Sequence, residues 1–149
     1  MSQDGHVPEL QDVTLVAARV LSGLLAGLYL GFVVAVMPGL ARLDDAGFAD
    51  AMNRINEAIL NPGFLLLFLG TPIVCCALLV WDRSPAVWVA VATAVLAVVI
   101  TAAFNVPLND ALAADGVRSA FERPWNTWHV IRTAVCVTTF VATLLVSTA

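Results

Sequence analysis

The feature that most constrains the fold is a set of four long apolar runs. They cover residues 13–37, 62–81, 86–104 and 125–147, and charged or proline-containing segments separate them. A helix of about 20 apolar residues is long enough to cross a lipid bilayer. Because a chain within lipid must satisfy its backbone hydrogen bonds internally, these runs predict four transmembrane helices.

The composition supports a membrane class. Hydrophobic residues make up 60% of the chain and charged residues only 12%, whereas a soluble domain has about a quarter charged residues. The net charge is -4 and there is no lysine, so the chain lacks the clustered basic face that a nucleic-acid partner needs. We therefore expect a multi-pass protein in contact with membrane lipid. A bacterial plasma membrane is the location expected in addition, which the composition itself does not specify.

The segments outside the runs complete the predicted architecture. Residues 1–12 contain acidic side chains but no Arg or Lys, which predicts a polar N-terminal tail ahead of a single four-span domain over residues 13–149. Between the first two spans, apolar residues recur at spacings of 4, 3 and 4, the period of an amphipathic helix; they are Phe48, Met52, Ile55 and Ile59. The predicted fold is all-α: an antiparallel four-helix membrane bundle with a short interfacial helix near residues 46–60.

Four spans joined by hairpins bring many polar side chains to one membrane face. The ends of spans one and three and the starts of spans two and four meet there, which collects Asn53, Asn56, Asn61, Asn105, Asn109, Trp125, His129 and Arg132. Polar groups that converge at one mouth of an apolar bundle are typical of a binding site. The loops on this face hold more arginines than the opposite face, so the positive-inside rule places them in the cytoplasm and both termini outside.

The start of the fourth span carries the most distinctive chemistry. Trp125, His129 and Arg132 lie at positions i, i+4 and i+7, on one face of a helix. An imidazole can take up a proton and a guanidinium can hold the resulting anion, while the amides of Asn105 and Asn109 can donate hydrogen bonds to a carbonyl or enolate oxygen. Alternatively, His129 and Arg132 pair with loop carboxylates or carbonyls and hold the loops on the bundle. The residues alone leave both interpretations open.

Metal binding is not expected from the sequence. One histidine lies at membrane depth, no carboxylate stands at a matching spacing, and the three cysteines (Cys75, Cys76 and Cys136) are dispersed, whereas zinc sites need clustered ligands. We expect the thiols to be inert. A metal-dependent membrane oxidase that uses His129 remains an alternative.

Several segments together resemble the DUF1772, or anthrone oxygenase-like, membrane proteins. They are Met37-Pro38-Gly39-Leu40, Asn56 and Asn61-Pro62 ahead of Phe64, Phe104 to Asn109, and Trp125 through His129 to Arg132. The resemblance covers nearly the whole chain after the tail. Its most specific parts are the Asn-x-Pro-x-Asn and Trp-x-x-x-His-x-x-Arg segments.

The resemblance implies a cofactor-independent oxygenase that acts with O2 on an apolar aromatic substrate, such as an anthrone or a related polyketide. In that interpretation His129 is the base, and Arg132, Asn105 and Asn109 hold the oxyanion. Trp125 stacks on the flat substrate, and Asn56 and Asn61 complete the substrate contacts.

A different class of function is also open. The chain could be a non-enzymatic four-helix membrane subunit that binds a lipid-like ligand or a partner protein. Gly23, Gly27 and Gly31 recur every fourth residue in the first span, and such a stripe lets another helix approach closely in lipid. A homo-oligomer through these glycines is therefore a further expectation.

Overall fold

The computed structural model describes residues 6–147 of the 149-residue chain, and within that range it contains helices and no strand. This confirms the all-helical prediction. The elements are α1 (His6–Gly31), a π-helical segment (Phe32–Val36), α2 (Met37–Leu40), α3 (Asp45–Ile59), α4 (Pro62–Leu78), α5 (Pro85–Ile100), a second π-helical segment (Thr101–Asn105), α6 (Val106–Asp115) and α7 (Arg118–Leu144).

Three continuous helices are long and apolar enough to cross a membrane: Glu9–Leu40, Pro85–Asp115 and Arg118–Leu144. The pair α3 and α4 adds a fourth candidate if the two are taken as one span, with a bend of 67° between them. Large apolar side chains such as Leu66 and Ile73 remain exposed on the outside of the molecule. These features are consistent with a membrane protein.

Two of the predicted spans are longer than expected, because the helix continues through a proline. The sequence predicted ends near Met37 and Phe104, yet the helices run on to Leu40 and Asp115. In each case a π-helical segment ends two residues before the proline, at Phe32–Val36 and at Thr101–Asn105. Proline has no N–H, and its ring crowds the carbonyl four residues earlier. A π turn bonds residue i to i+5, and this local widening lets the helix pass Pro38 and Pro107 without ending.

The segment expected to form a loop before the fourth span is mostly helical. Only Gly116 and Val117 separate α6 from α7. Gly116 has a φ of 67°, a left-handed conformation that glycine adopts easily and that commonly ends helices. As a result α7 begins at Arg118, well before the predicted start at Trp125.

Residues 1–5 of the predicted N-terminal tail, which covers residues 1–12, lie outside the described residues. Residues 148–149 also lie outside them. From His6 onward the tail segment already belongs to α1. The prediction of a separate tail therefore stays a prediction.

A helix is present where the amphipathic pattern predicted one. The Asp44 carboxylate caps α3 by accepting a hydrogen bond from the Gly47 amide at 2.8 Å. Phe48 and Met52 are fully buried on the inner face of α3, which packs on α6 and α7. The position of α3 relative to a bilayer remains a prediction.

The long helices pack so that each contacts two others. α1 contacts α4 and α7, and α5 contacts the same two helices. Buried side chains form three clusters, and the polar residues considered next lie where two of them meet. One of these two clusters includes Leu25, Tyr29, Ala97 and Cys136, and the other includes Phe48, Met52, Leu112, Phe121 and Trp125.

Candidate functional site

A cavity of about 290 Å³ opens among α1, α3, α4, α6 and α7. Its size is near the lower end of the range of small-molecule pockets, roughly 300 to 1,000 Å³. Polar and aromatic side chains form much of its lining, including Tyr29, Phe32, Asn53, Asn56, Phe64, Thr101, Asn109, Trp125, His129 and Arg132.

Five of the predicted site residues line this cavity: Asn56, Asn109, Trp125, His129 and Arg132. The topology therefore brings together side chains from α3, α6 and α7. The other two predicted residues, Asn105 and Asn61, are not part of the lining.

Asn105 and Asn61 have other positions. Asn105 is buried, and its Nδ2 atom lies 3.4 Å from the backbone oxygen of Trp125. Asn61 caps α4, because its Oδ1 atom accepts a hydrogen bond from the Phe64 amide at 3.0 Å. Its Nδ2 atom donates to the Ala58 carbonyl, so both ends of this side chain serve the turn between α3 and α4.

The His129 ring is fixed by hydrogen bonds at both nitrogens. Nδ1 accepts a hydrogen bond from Arg132 Nε at 3.0 Å. Nδ1 therefore carries no hydrogen, and in the neutral ring the hydrogen is on Nε2, which donates to the Tyr29 carbonyl oxygen at 3.0 Å. The ring is 2% exposed and stacks on Trp125, with 4.7 Å between the ring centres. Neither nitrogen is free for a further partner in this arrangement.

Arg132 is a buried cation, 7% exposed, that lines the cavity. Besides His129 it contacts the Thr101 hydroxyl, to which Nη1 donates at 3.1 Å. Its guanidinium carbon lies 4.5 Å from the centre of the Tyr29 ring and 5.3 Å from that of Trp125, and aromatic faces attract a cation.

No carboxylate forms an ion pair with Arg132 within the described part of the chain. Two carboxylates, those of Glu57 and Asp110, also line the cavity, but both residues are exposed. A charge taken out of water is costly unless it has a partner. The cavity therefore presents a buried positive charge that an anionic ligand group would neutralise.

Trp125 and Asn109 orient one another. The indole Nε1 donates to Asn109 Oδ1 at 2.7 Å, which leaves the Asn109 Nδ2 hydrogens for the cavity. Asn109 reaches the site only because the helix continues past Pro107 into α6.

Several buried polar atoms lack a hydrogen-bond partner among the described residues. They are Tyr29 OH, Asn53 Oδ1, Asn56 Nδ2 and Asn105 Oδ1. The first three belong to residues that line the cavity. The Tyr29 hydroxyl lies beside the Thr101 side chain and interacts with it. An unpaired buried polar group costs about 1–3 kcal/mol, so the asparagine atoms would gain from a hydrogen-bond partner.

The sequence indicated Asn53 only as one of the polar residues at this face, and it did not indicate Tyr29 or Thr101 as site residues. Isolated polar positions were the available signal in these cases, since Tyr29 and Thr101 are each an isolated polar side chain within an apolar run. The sequence carries no signal for the hydrogen bond between His129 and the Tyr29 backbone carbonyl, because every residue has a carbonyl.

In the alternative interpretation, His129 and Arg132 hold the loops on the bundle. In the structure a different arginine has this role. Arg118 donates to the carbonyls of Ala41 and Leu43 at 3.1 and 2.8 Å, and to Glu122 at 2.7 Å. Its guanidinium also lies 4.5 Å from the centre of the Phe48 ring. Arg118 thus ties the start of α7 to the loop before α3 and to α3 itself. The hydrogen bonds of His129 and Arg132 stay within the long helices.

The described residues contain no group of three His, Cys, Asp or Glu side chains that could hold a metal ion. Because both nitrogens of His129 already have partners, this histidine is not available as a ligand without rearrangement. The residues of the cavity therefore do not fit a resident metal.

A comparison with curated proteins found no match, and neither did a comparison with solved structures. The family model for anthrone oxygenase matches residues 63–142, a range that runs from α4 to near the end of α7 and includes Asn109, Trp125, His129 and Arg132. The match covers more than half of the 149 residues. The chain belongs to the anthrone oxygenase family.

Proposed function

We propose that the chain is a membrane-embedded oxygenase that acts with O2, without a bound cofactor, on an apolar aromatic substrate of the anthrone or polyketide type. Family membership supports an oxygenase-type role. The observation that carries the proposal is the buried Arg132 guanidinium, which faces an aromatic-lined cavity and has no carboxylate partner among the described residues. Fixed positive charge in a site that excludes water stabilises a developing oxyanion strongly.

The proposed setting is an antiparallel four-helix membrane bundle over residues 13–149, preceded by a polar tail, in a bacterial plasma membrane. The spans are α1, α4, α5 with α6, and α7, and α3 lies in the interface at the mouth of the cavity. The mutual contacts of the long helices and their exposed apolar side chains support this arrangement. The arginine distribution favours a cytoplasmic position for the mouth.

The proposed reaction converts a CH2 group of the anthrone to a carbonyl. Loss of one proton from this carbon gives an enolate, whose oxygen lies at Arg132. The enolate carbon then forms a bond to O2, and the resulting peroxide takes up a proton. Loss of the second C–H proton and cleavage of the O–O bond give the new carbonyl and water. One oxygen atom of O2 enters the product, the other leaves as water, and O2 is the sole oxidant.

For His129 we propose a positioning role in place of the predicted role as base. To accept the substrate proton, Nδ1 would have to lose its hydrogen bond from Arg132, and a second positive charge would then lie beside the guanidinium. A neutral ring instead holds Arg132 toward the cavity. The proton passes to water or to a rim carboxylate, Glu57 or Asp110, both of which are exposed and line the cavity.

The other predicted contacts are proposed as follows. Asn109 supplies a second donor to the oxyanion through Nδ2. His129 already covers one face of Trp125, so the substrate stacks on the part of the indole that lines the cavity. Asn105 acts indirectly, by supporting the backbone of Trp125, and Asn61 contributes only through the turn that it caps.

The test is turnover of a small panel of anthrones by the purified protein in detergent, with and without O2. We expect anthraquinone formation only with O2, and one labelled oxygen atom per product molecule from labelled O2. Arg132→Met should lower turnover by about two to three orders of magnitude, the typical effect of removing an oxyanion-stabilising group. Arg54→Met is the matched control, because Arg54 is an exposed arginine that pairs with Asp50 on its own helix.

Two results would contradict the proposal: no O2-dependent product with any anthrone, or unchanged turnover in a folded Arg132→Met protein. The buried cation and apolar lining would also suit a lipid-like anion, as expected for a non-enzymatic subunit. Binding of such an anion without any oxygen consumption would favour that second function.

A further inference from the structure

We propose that Asn53 and Asn56 of α3 form a second polar subsite, which binds a neutral hydroxyl group on the substrate and so sets the specificity of the cavity. The expectation that the ligand is aromatic rests on the proposed function. The side-chain geometry that supports it is independent of the reaction.

The two asparagines lie on the same face of α3, because residues three apart on a helix are neighbours. Both line the cavity. The Oδ1 atom of Asn53 and the Nδ2 atom of Asn56 are each buried, and neither has a hydrogen-bond partner in the part of the chain that the structure describes. One cavity wall therefore carries two amide side chains, each with one buried atom that lacks a partner. A turn of each amide about its last side-chain torsion would bring that atom to the cavity surface.

A hydroxyl group is the complement of this pair. It donates one hydrogen bond and accepts others, so a single ligand hydroxyl can donate to Asn53 Oδ1 and accept from Asn56 Nδ2. A carbonyl or ether oxygen can satisfy only Asn56, a carboxylate has nothing to donate to Asn53, and an alkyl group satisfies neither. The pair thus favours a neutral hydroxyl over these other groups.

This subsite is uncharged and lies on α3, whereas the site around Arg132 is charged and lies on α7. Within residues 6–147, the hydrogen bonds of the His129 and Arg132 side chains do not involve either asparagine. Arg132 on α7 offers a cation for an oxyanion, whereas α3 offers two uncharged amides. The contacts of Arg118 hold α3 in place over the cavity. The ligand class that follows is an apolar ring system with an ionisable oxygen at one position and a neutral hydroxyl at another.

The experiment compares the affinities of two unreactive anthraquinones, one with a hydroxymethyl and one with an ethyl substituent at the same ring position. The compounds have nearly the same shape and differ in one hydroxyl, which stays neutral. Binding is followed by quenching of tryptophan fluorescence in lipid nanodiscs. The proteins are the wild type, Asn53→Leu, Asn56→Leu and Asn126→Leu as control, because Asn126 is half-buried and does not line the cavity.

We expect the wild type and the control to prefer the hydroxymethyl compound by about tenfold, since the hydroxyl adds hydrogen bonds that the ethyl group cannot form. Each cavity variant should lose most of this preference. The melting temperature of the free variants should not fall, because leucine replaces atoms that have no partner to lose. A merely structural role for the asparagines predicts the opposite: lower stability and unchanged preference.

Equal affinity of the wild type for both compounds would overturn the subsite, and so would binding of neither compound or a full preference in both cavity variants. Because binding is measured without turnover, the two proposals fail separately. A hydroxyl preference without any O2-dependent turnover would overturn the oxygenase function and leave the subsite standing.

Discussion

Both nitrogens of His129 are engaged, and this decides how its role can be tested. Arg132 donates to Nδ1, and Nε2 donates to the Tyr29 carbonyl. A glutamine side chain also has one acceptor and one donor held in a plane, but it has no basic nitrogen. It can therefore replace the positioning function of the ring without replacing the function of a base.

We expect His129→Gln to keep turnover within about tenfold of the wild type, since a hydrogen bond to Arg132 can be retained. His129→Leu should lose about 10- to 150-fold, because a hydrogen bond to a charged group contributes roughly 1.5–3 kcal/mol. The measurement is kcat with an anthrone at several pH values, beside the melting temperature of each variant. If His129→Gln and His129→Leu are equally impaired, by two to four orders of magnitude as for loss of a general base, His129 is the base after all.

At this scale the sequence predicts more than half of the site. The i, i+4, i+7 spacing and the hairpin topology are sufficient to bring Trp125, His129 and Arg132 to the cavity that Asn109 also lines. They do not predict the hydrogen bond between Arg132 and His129, or the hydrogen bond from His129 to the Tyr29 carbonyl of α1. Those hydrogen bonds depend on how α1 is rotated about its axis relative to α7. The pattern of apolar residues indicates which face of α1 is buried, but not the exact rotation.

The two helices that pass through a proline show why element ends were harder to predict than elements. A proline normally indicates a helix boundary, and nothing local in the sequence distinguishes Pro38 and Pro107 from such a stop. The π-helical segments before them depend on packing against neighbouring helices. At Thr101–Asn105 the segment also places the Thr101 hydroxyl against Arg132, so the local irregularity is part of the site.

We expect Pro107→Ala to stabilise the helix and to impair the site. Without the proline ring and with a restored N–H, the segment can return to regular α-helical bonding. That change would rotate Thr101 and Asn105 away from their present partners. The melting temperature should rise while turnover falls about tenfold, as is common when a strained functional segment is relaxed. Pro72→Ala is the control, because Pro72 lies inside α4 and outside the cavity lining. A fall in stability without a change in turnover would contradict the assignment.

The attachment of α3 gives a second prediction for an element. Arg118 has a side chain that is 15% exposed, and it contacts the carbonyls of Ala41 and Leu43 as well as the Phe48 ring. Arg118→Gln should therefore weaken the docking of α3, because it removes the charged donor of these hydrogen bonds and the cation beside the Phe48 ring.

Hydrogen exchange measures this effect directly, at the amides of Phe48 and Met52. Exchange there should become faster in Arg118→Gln, while the amides of α5 keep their protection. Arg54→Gln is the control, because the ion pair of Arg54 with Asp50 on the same helix is exposed, and such pairs contribute little to stability. Equal protection of α3 in both variants would show that its apolar face alone holds it in place.

At the scale of the whole molecule, the glycines that recur along α1 differ in what they contact. One packs against another helix of the same chain, and two are open to a second chain. A Cβ atom at Gly23 would lie 3.1 Å from the Phe140 ring of α7, whereas one at Gly27 or Gly31 would meet no described atom within 4 Å. Gly23 is thus part of the α1–α7 contact. The same spacing in the sequence therefore has two different structural consequences, which only the rotation of α1 reveals.

This difference makes the predicted homo-oligomer testable with a matched pair. Gly23→Leu should lower the melting temperature of the protein, because the added side chain overlaps Phe140 in a close-packed interior, which typically costs 1–3 kcal/mol. Gly27→Leu should leave the fold and O2-dependent turnover intact, since the position is open within the chain. If a second copy packs on the stripe, Gly27→Leu should also convert the oligomer to a monomer, because small residues allow close helix approach in lipid. The measurement is the mass of the detergent-solubilised protein by light scattering. An unchanged mass in Gly27→Leu would show that copies of this chain do not associate through the stripe, and would leave Gly23 with its role inside the bundle.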